Sequence, residues 1–355
     1  MKLEDFGYNN KIETLKKENN LEAFEIGRVI LEHKERYIVT TVQGEYEAEI
    51  TGNLRYTANT REDFPAVGDW VALVMYDSYN SIIHKVLPRS SMLARQAVGQ
   101  SGDIQIIATN IDYAFIVQAV DRDFNINRIE RYLTICNTSN IQPLIILNKI
   151  DLIDKLSLNT LMDDLKKRIN AVPIFAISSI SKQGVEQLKE IISKGKTYCL
   201  LGSSGVGKST LVNILTNTSL MKTKNISEHS KKGQHTTTHR ELILLDNGGI
   251  IIDNPGMREI GIASGSYGLE KTFETIYEYS KQCRFKDCTH TIEIGCAVIA
   301  AVDIGEIDQS SYENYLKMQK EKDHFESTVA EKRKKDKNFG KMVKQFKNLK
   351  KSSKF

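Results

Sequence analysis

The sequence predicts a multidomain α/β protein: an N-terminal β-barrel of OB type, a central domain on a mainly parallel sheet with helices, and a helical C-terminal domain. Three observations carry this prediction. Five short β-like runs crowd into residues 25–88, strands alternate with helices over residues 112–202, and three of the five cysteines fall within residues 283–296. The expected divisions are 1–95 for the barrel with its N-terminal extension and linker, 96–267 for the central domain, and 268–355 for the C-terminal domain. A chain of 355 residues with 40% hydrophobic and 26% charged residues is long enough for two or three cores of this kind.

Composition also narrows the setting. No run of 18 apolar residues is present, which argues against a membrane-spanning helix, and the polar start MKLEDFGYNNKIETLKKENN has no signal-peptide core. The expected protein is cytoplasmic, monomeric and without a membrane partner. In a reducing compartment, crowded cysteines suggest metal before disulfide. The net charge of +4 is uneven: residues 331–355 hold eleven Lys and Arg against Glu331 and Asp336, a net +9, which leaves the remainder near −5.

The barrel strands are expected at EIGRVILEH, RYIVTTVQ, YEAEIT, DWVALVMYD and SIIHKVLP, with the longer segment GNLRYTANTREDFPAVG after the third. Five strands with an insertion there fit an OB barrel, a fold that often binds nucleic acid or oligosaccharide; another small barrel with only a packing role is the alternative. Residues 88–103 read as a linker. Beyond it come strand DYAFIVQAV, helix INRIERYLTICN, strand QPLIILN, helix LSLNTLMDDLKKRI, strand VPIFAI, helix GVEQLKEII and strand KTYCLLG. Then ELILLD and GIIIDNPG predict a hairpin across Asn247-Gly248-Gly249. Beyond residue 268 the chain reads as helical around the cysteine cluster.

Two motifs carry the chemistry. Gly202-Ser203-Ser204-Gly205-Val206-Gly207-Lys208-Ser209, followed by Thr210, is a complete phosphate loop between a strand and a helix. Its glycines let backbone N–H groups wrap the phosphates, Lys208 reaches the β- and γ-phosphates, and the Ser209 hydroxyl ligates Mg²⁺. Asn148-Lys149-Ile150-Asp151 follows the apolar strand PLIIL, where a base-reading loop belongs. The Asp151 carboxylate accepts from the guanine ring N–H and exocyclic amine, a donor pair adenine lacks, so GTP is favoured over ATP. Ser178 and Ser179 after the next strand extend this loop, an ordinary polar turn being the alternative. Asp253-Asn254-Pro255-Gly256 offers a carboxylate toward Mg²⁺ and a glycine N–H toward the γ-phosphate. Within KKGQHTTTHR, residues 231–240, one of Thr236–Thr238 is the remaining Mg²⁺ candidate, and Thr238 is favoured. The order is base loop, phosphate loop, sensing loop, Asp-x-x-Gly. A GTPase domain in that order is circularly permuted, a change that compact folds tolerate when their termini lie close together.

Cys283, Cys288, His290 and Cys296 supply three thiolates and an imidazole, a closed tetrahedral shell for one structural Zn²⁺ per chain. Cys136 and Cys199 stand apart and read as packing residues. In the tail, Phe339, Met342, Phe346 and Leu349 make a narrow apolar stripe at helical spacing among lysines. Membrane, a protein partner or RNA would each suit such a helix, as would simple solvation; with a candidate OB barrel in the same chain, RNA is the economical reading.

Barrel, NKID ahead of GSSGVGKS, GQHTTTHR, DNPG and the cysteine cluster together resemble the ribosome-small-subunit-dependent GTPase A family, over nearly the whole chain. The resemblance implies a ribosome-stimulated GTPase that binds the small ribosomal subunit and its rRNA as a late assembly factor, with Mg²⁺ accompanying GTP and Zn²⁺ in the cysteine motif. It also implies that His235 orients the attacking water, because Met257 stands where many GTPases place a Gln. Asn254 departs from the family's more usual Thr or Ser. Two rival readings are a GTP-dependent regulator acting on a protein and an RNA-binding scaffold that holds GTP without turnover.

Overall fold

In a computed structural model, residues 2–33, 36–96, 104–169, 171–217, 240–253 and 266–323 are described. His235, Thr238, Gly256 and the basic tail lie outside these residues.

Helix α1 (Asn10–Glu18) opens with Asn9, whose side-chain oxygen accepts from the N–H groups of Lys11 and Ile12. The barrel strands are β1 (Glu25–His33), β2 (Arg36–Thr41), β3 (Gly44–Ile50), β4 (Trp70–Met75) and β5 (Asn80–Val86), with α2 (Gly52–Thr57) between β3 and β4. They hydrogen-bond in the order β1-β2-β3-β5-β4, and β4 closes back onto β1 from Glu25↔Leu73 to Arg28↔Trp70. That closure is the OB-like barrel expected of five strands with a helical insertion after the third. Alternation explains its core: on β3, Tyr46, Ala48 and Ile50 point inward while their neighbours face solvent. Val29, Val39, Val71, Leu73 and Ile83 fill the interior with Ala48 and Ile50.

The linker expectation needs correction. Strand β6 (Met92–Gln96) pairs antiparallel with β7 (Ile104–Thr109), from Met92↔Thr109 to Gln96↔Ile104 with an irregularity at Leu93/Ala94. SSMLARQ shows no clear hydrophobic alternation, because Met92, Leu93 and Ala94 are apolar in a row; in the fold Ser91 and Leu93 are buried while Met92 and Ala94 are only partly so. Long-range packing of Leu93, Ile107 and Ala108 into the main core makes this pair.

The central domain follows the predicted alternation: β8 (Tyr113–Ala119), α3 (Ile126–Thr138), β9 (Gln142–Asn148), α4 (Lys155–Arg168), β10 (Ile174–Ala176), α5 (Val185–Glu190), β11 (Thr197–Leu201), α6 (Lys208–Leu215), β12 (Arg240–Leu244) and β13 (Ile250–Asp253). The sheet order is β10-β9-β8-β11-β13-β12, parallel except for β12, which forms the expected hairpin with β13. Strands β8 and β11 are buried almost throughout, as central parallel strands with both faces covered must be. The sheet does not stop at β12. Leu31↔Glu241 and Glu32↔Arg240 join β12 to β1, so barrel and central domain share one eleven-stranded sheet among the described residues.

Arg28 fastens the same junction. Its guanidinium is 2% exposed and donates to the carbonyls of Phe6, Gly68 and Asn110 and to Thr197 Oγ1 at 2.9 Å, at the start of β11. Burial pushes its pKa down to about 10, with Asp112 and Asp69 opposing, so it stays cationic at neutral pH.

The C-terminal unit comprises α7 (Ser266–Thr272), α8 (Glu274–Ser280), α9 (Ala297–Asp303) and a helical stretch over residues 309–323. Leu269, Phe273, Ile276, Val298, Ala301 and Met318 form its core. Among the described residues, no helix is long and apolar enough to cross a membrane.

Candidate nucleotide site and metal cluster

The parallel strands β8, β9, β10, β11 and β13 place their C-terminal ends on one edge, where open α/β sheets bind ligands. The base motif leaves β9, Ser178 follows β10, the phosphate loop leaves β11, and Asp253 ends β13. Residues scattered over more than 100 positions thereby meet.

Backbone conformation explains the glycines of the loop. Gly202 has φ 148°, and a Cβ there would sit 2.2 Å from the Val117 carbonyl oxygen. At Gly207, φ is 99° and a Cβ would lie 2.3 Å from Asn148 Nδ2. The second approach matters, because Asn148 Nδ2 donates to the Val206 carbonyl at 2.8 Å, tying the base loop to the phosphate loop. Asn148 is 1% exposed, and its Oδ1 accepts from Lys149 N–H, Ser179 N–H and Ser179 Oγ at 2.8, 3.1 and 3.0 Å. One buried amide thus joins three loops. Ser178 Oγ donates to Asp151 Oδ1 at 2.5 Å and accepts from the N–H groups of Ile180 and Ser181, so the carboxylate is held in one orientation.

Lys208 Nζ donates to the carbonyls of Gly202 and Ser203, at 2.7 Å each, across the mouth of the loop. Ser209 and Thr210 stand in the first turn of α6, Ser209 exposed, and β13 lies beside β11, which brings Asp253 to the same edge. A hydroxyl and a carboxylate at the same sheet edge suit the oxygen preference of Mg²⁺.

Two residues went unnoticed in the sequence. Asp121, just past β8, accepts from Lys149 Nζ at 2.8 Å and fixes the lysine whose stem would lie along the base. Burial pushes its carboxyl up, but hydrogen bonds from Lys149 and from the Asp123 N–H outweigh that, and the net pKa is lowered. Arg128 on α3 donates to Ser203 Oγ at 2.9 Å. An acid directly after a central strand was the available signal for Asp121; Arg128 offered none.

This arrangement has close counterparts. The family model described as RsgA GTPase matches residues 86–263. The chain belongs to the RsgA GTPase family. A second model, described as 50S ribosome-binding GTPase, matches residues 197–332. The small ribosomal subunit biogenesis GTPase RsgA 1 of Bacteroides thetaiotaomicron is 40% identical, over 97% of this chain and 96% of its own length. RsgA 2 of Lactiplantibacillus plantarum is 44% identical over 83% of each chain. Among solved structures, YjeQ from Thermotoga maritima superposes with a TM-score of 0.63 at 28% identity, covering 84% of this chain and 98% of that one. YloQ, a circularly permuted GTPase, gives 0.62 at 25% identity, covering 85% and 96%. The RsgA fold, GTPase class and permuted order are therefore those of this chain.

The C-terminal cluster assembles as the RsgA resemblance implies. The ligand atoms of Cys283, Cys288, His290 and Cys296 lie within 4.8 Å of one another. Cys283 Sγ is 3.5 Å from His290 Nδ1 and 3.8 Å from Cys296 Sγ, and Cys296 Sγ is 3.4 Å from His290 Nδ1. Zinc–sulfur bonds of about 2.3 Å in a tetrahedron give edges of about 3.8 Å, so the cage fits Zn²⁺. Burial lowers the His290 pKa, favouring the neutral imidazole a metal needs. Cys136 and Cys199 are fully buried, as their packing role requires.

Proposed function

We propose that this chain binds GTP between the base and phosphate loops and hydrolyses it on the small ribosomal subunit, acting in the cytoplasm as a late assembly factor. The observation that carries a single nucleotide site is the Asn148–Val206 bond at 2.8 Å, which joins guanine-reading and phosphate-binding elements into one unit. The ribosomal partner is proposed because chains named small ribosomal subunit biogenesis GTPase match nearly end to end. In this reading Asp151 reads the guanine edge, Lys149 lies along the ring, and Lys208 meets the β- and γ-phosphates. Ser209, Asp253 and Thr238 would hold Mg²⁺, which when bound offsets charge on the phosphate oxygens. Gly256 approaches the γ-phosphate, and His235 orients the water. Cys283, Cys288, His290 and Cys296 hold one structural Zn²⁺.

The working division is barrel 1–95, GTPase 96–267 and C-terminal domain 268–355, with the monomer as the functional unit. RNA contact is assigned first to the tail, because residues 25–88 carry six Lys and Arg against ten Asp and Glu and cannot attract phosphate by net charge. Two measurements test the proposal: co-sedimentation with small subunits in a non-hydrolysable GTP analogue against GDP, and multiple-turnover phosphate release with and without subunits. Analogue-dependent binding and stimulated turnover are expected. Turnover indifferent to subunits would point to a protein-directed regulator, and no turnover at all to a GTP-holding scaffold.

A further inference from the structure

We propose that Arg128 is a further positioning residue of the GTPase site, setting the phosphate loop through the Ser203 hydroxyl. Arg128 lies in the first turn of α3, where its N–H is capped by Asn125 Oδ1 at 3.3 Å. Its Nη1 donates to Ser203 Oγ at 2.9 Å. The carbonyl of the same serine accepts from Lys208 Nζ at 2.7 Å. Ser203 is thus held at both ends, by α3 on its side chain and by the phosphate-binding lysine on its backbone.

The frame behind Arg128 is stiff. Glu130, 2% exposed, takes Arg168 Nε and Nη2 at 2.7 and 2.8 Å and Asn314 Nδ2 at 2.5 Å. Arg131 meets Glu321 through two bonds of 2.6 Å. Helix α3 is therefore fixed to α4 and to the C-terminal unit on the sides away from the loop. A phosphate loop held in shape beforehand loses less freedom when nucleotide binds. Positional and electrostatic roles can be told apart. Asp123 Oδ2 lies 2.7 Å from Arg128 Nη1, so the pair is close to neutral and its field at the phosphates is weak. Position is the larger effect.

The inference rests on residues 202–210 being the nucleotide's phosphate loop, so Lys208→Ala is measured alongside. In the full chain, Arg128→Ala should weaken binding of a fluorescent GTP analogue about tenfold and raise KM similarly, the scale of one charge-assisted hydrogen bond, with kcat within about twofold. Arg128→Lys keeps one donor and should recover most of the affinity. Ser203→Ala removes the acceptor without touching α3; it should match Arg128→Ala, and the double variant should be no worse than either. Wild-type affinity in Arg128→Ala beside lost binding in Lys208→Ala would overturn this role alone. A fall in kcat at unchanged KM, or additive penalties in the double variant, would overturn it as well. Undiminished binding in Lys208→Ala would remove the loop assignment, and this inference with it.

Discussion

At the proposed base site two carboxylates have different tasks. Asp151, held by Ser178, is the proposed acceptor for the two N–H donors of guanine. Asp151→Asn offers a donor where xanthine carries a carbonyl, so preference should move from GTP to XTP. Each bond to a charged acceptor contributes about 1.5–3 kcal/mol, so GTP affinity should fall by about two orders of magnitude or more. Competition between the two nucleotides measures this; unchanged GTP binding would refute the base-loop assignment. Asp121 acts one step back, through Lys149. Asp121→Asn should weaken GTP several-fold, as expected for a partly exposed ion pair. Its pH dependence has a definite sign. The folded-state pKa is lowered, so the pair's contribution is complete above the ordinary carboxylate value and is lost only as pH falls through the depressed one. The ratio of wild-type to variant affinity should therefore stay flat over roughly pH 5 to 8. A ratio that changes within that window would contradict the ion-pair role.

Among the elements, the C-terminal unit depends most on something beyond its own packing. Its buried core is small, and the segment from Cys283 to Cys296 runs through turns, not regular structure. Glu293 organises part of this segment by accepting from Thr289 N–H, Thr289 Oγ1, Thr291 N–H and Ile292 N–H, which hold its carboxyl well below the usual range. These bonds shape one loop; they do not connect Cys283 to Cys296. Four ligands on one ion would, and a structural zinc site contributes folding energy directly. Metal analysis should find one Zn²⁺ per chain. Cys288→Ala should release the metal and open residues 266–323 to protease while nucleotide binding persists in weakened form, because the base and phosphate loops stand on the central sheet but α3 loses its bonds to Asn314 and Glu321. Metal-free chain with full protease resistance in that segment would be the contrary result. The β6–β7 pair makes a related point: SSMLARQ becomes a strand through the packing of Leu93, where local pattern suggested only a linker.

For the molecule as a whole, β12 is the connecting part. It leads out of the segment containing His235 and Thr238 and pairs directly with β1 of the barrel, so the two domains share backbone hydrogen bonds. The tail is a separate matter of charge. A net +9 in residues 331–355 should release counterions on meeting rRNA, with a log–log salt slope of roughly 0.7 to 0.9 per neutralised phosphate. Truncation after Glu331 should weaken small-subunit binding and flatten that slope. GTP affinity and unstimulated hydrolysis should hold, since Gly256 completes the motifs. Undiminished binding with an unaltered salt slope in the truncated chain would sink the assignment.

What the sequence determined by itself was local in its physics. Alternation at Tyr46, Ala48 and Ile50 marks a half-buried strand wherever it occurs, and glycines at 202 and 207 mark a backbone shape other residues resist. Asn148 and Asp151 became base-loop candidates because the strand before them was also legible. The tertiary structure decided what depends on distance through space. Arg28 reaches Thr197 across 169 positions, Arg128 reaches Ser203 across 75, and β1 meets β12 across about 209, as Leu31↔Glu241 and Glu32↔Arg240 show. No local pattern encodes such pairings, because each partner's neighbours would look the same whether or not the other were there; only the packed core brings them within hydrogen-bonding reach.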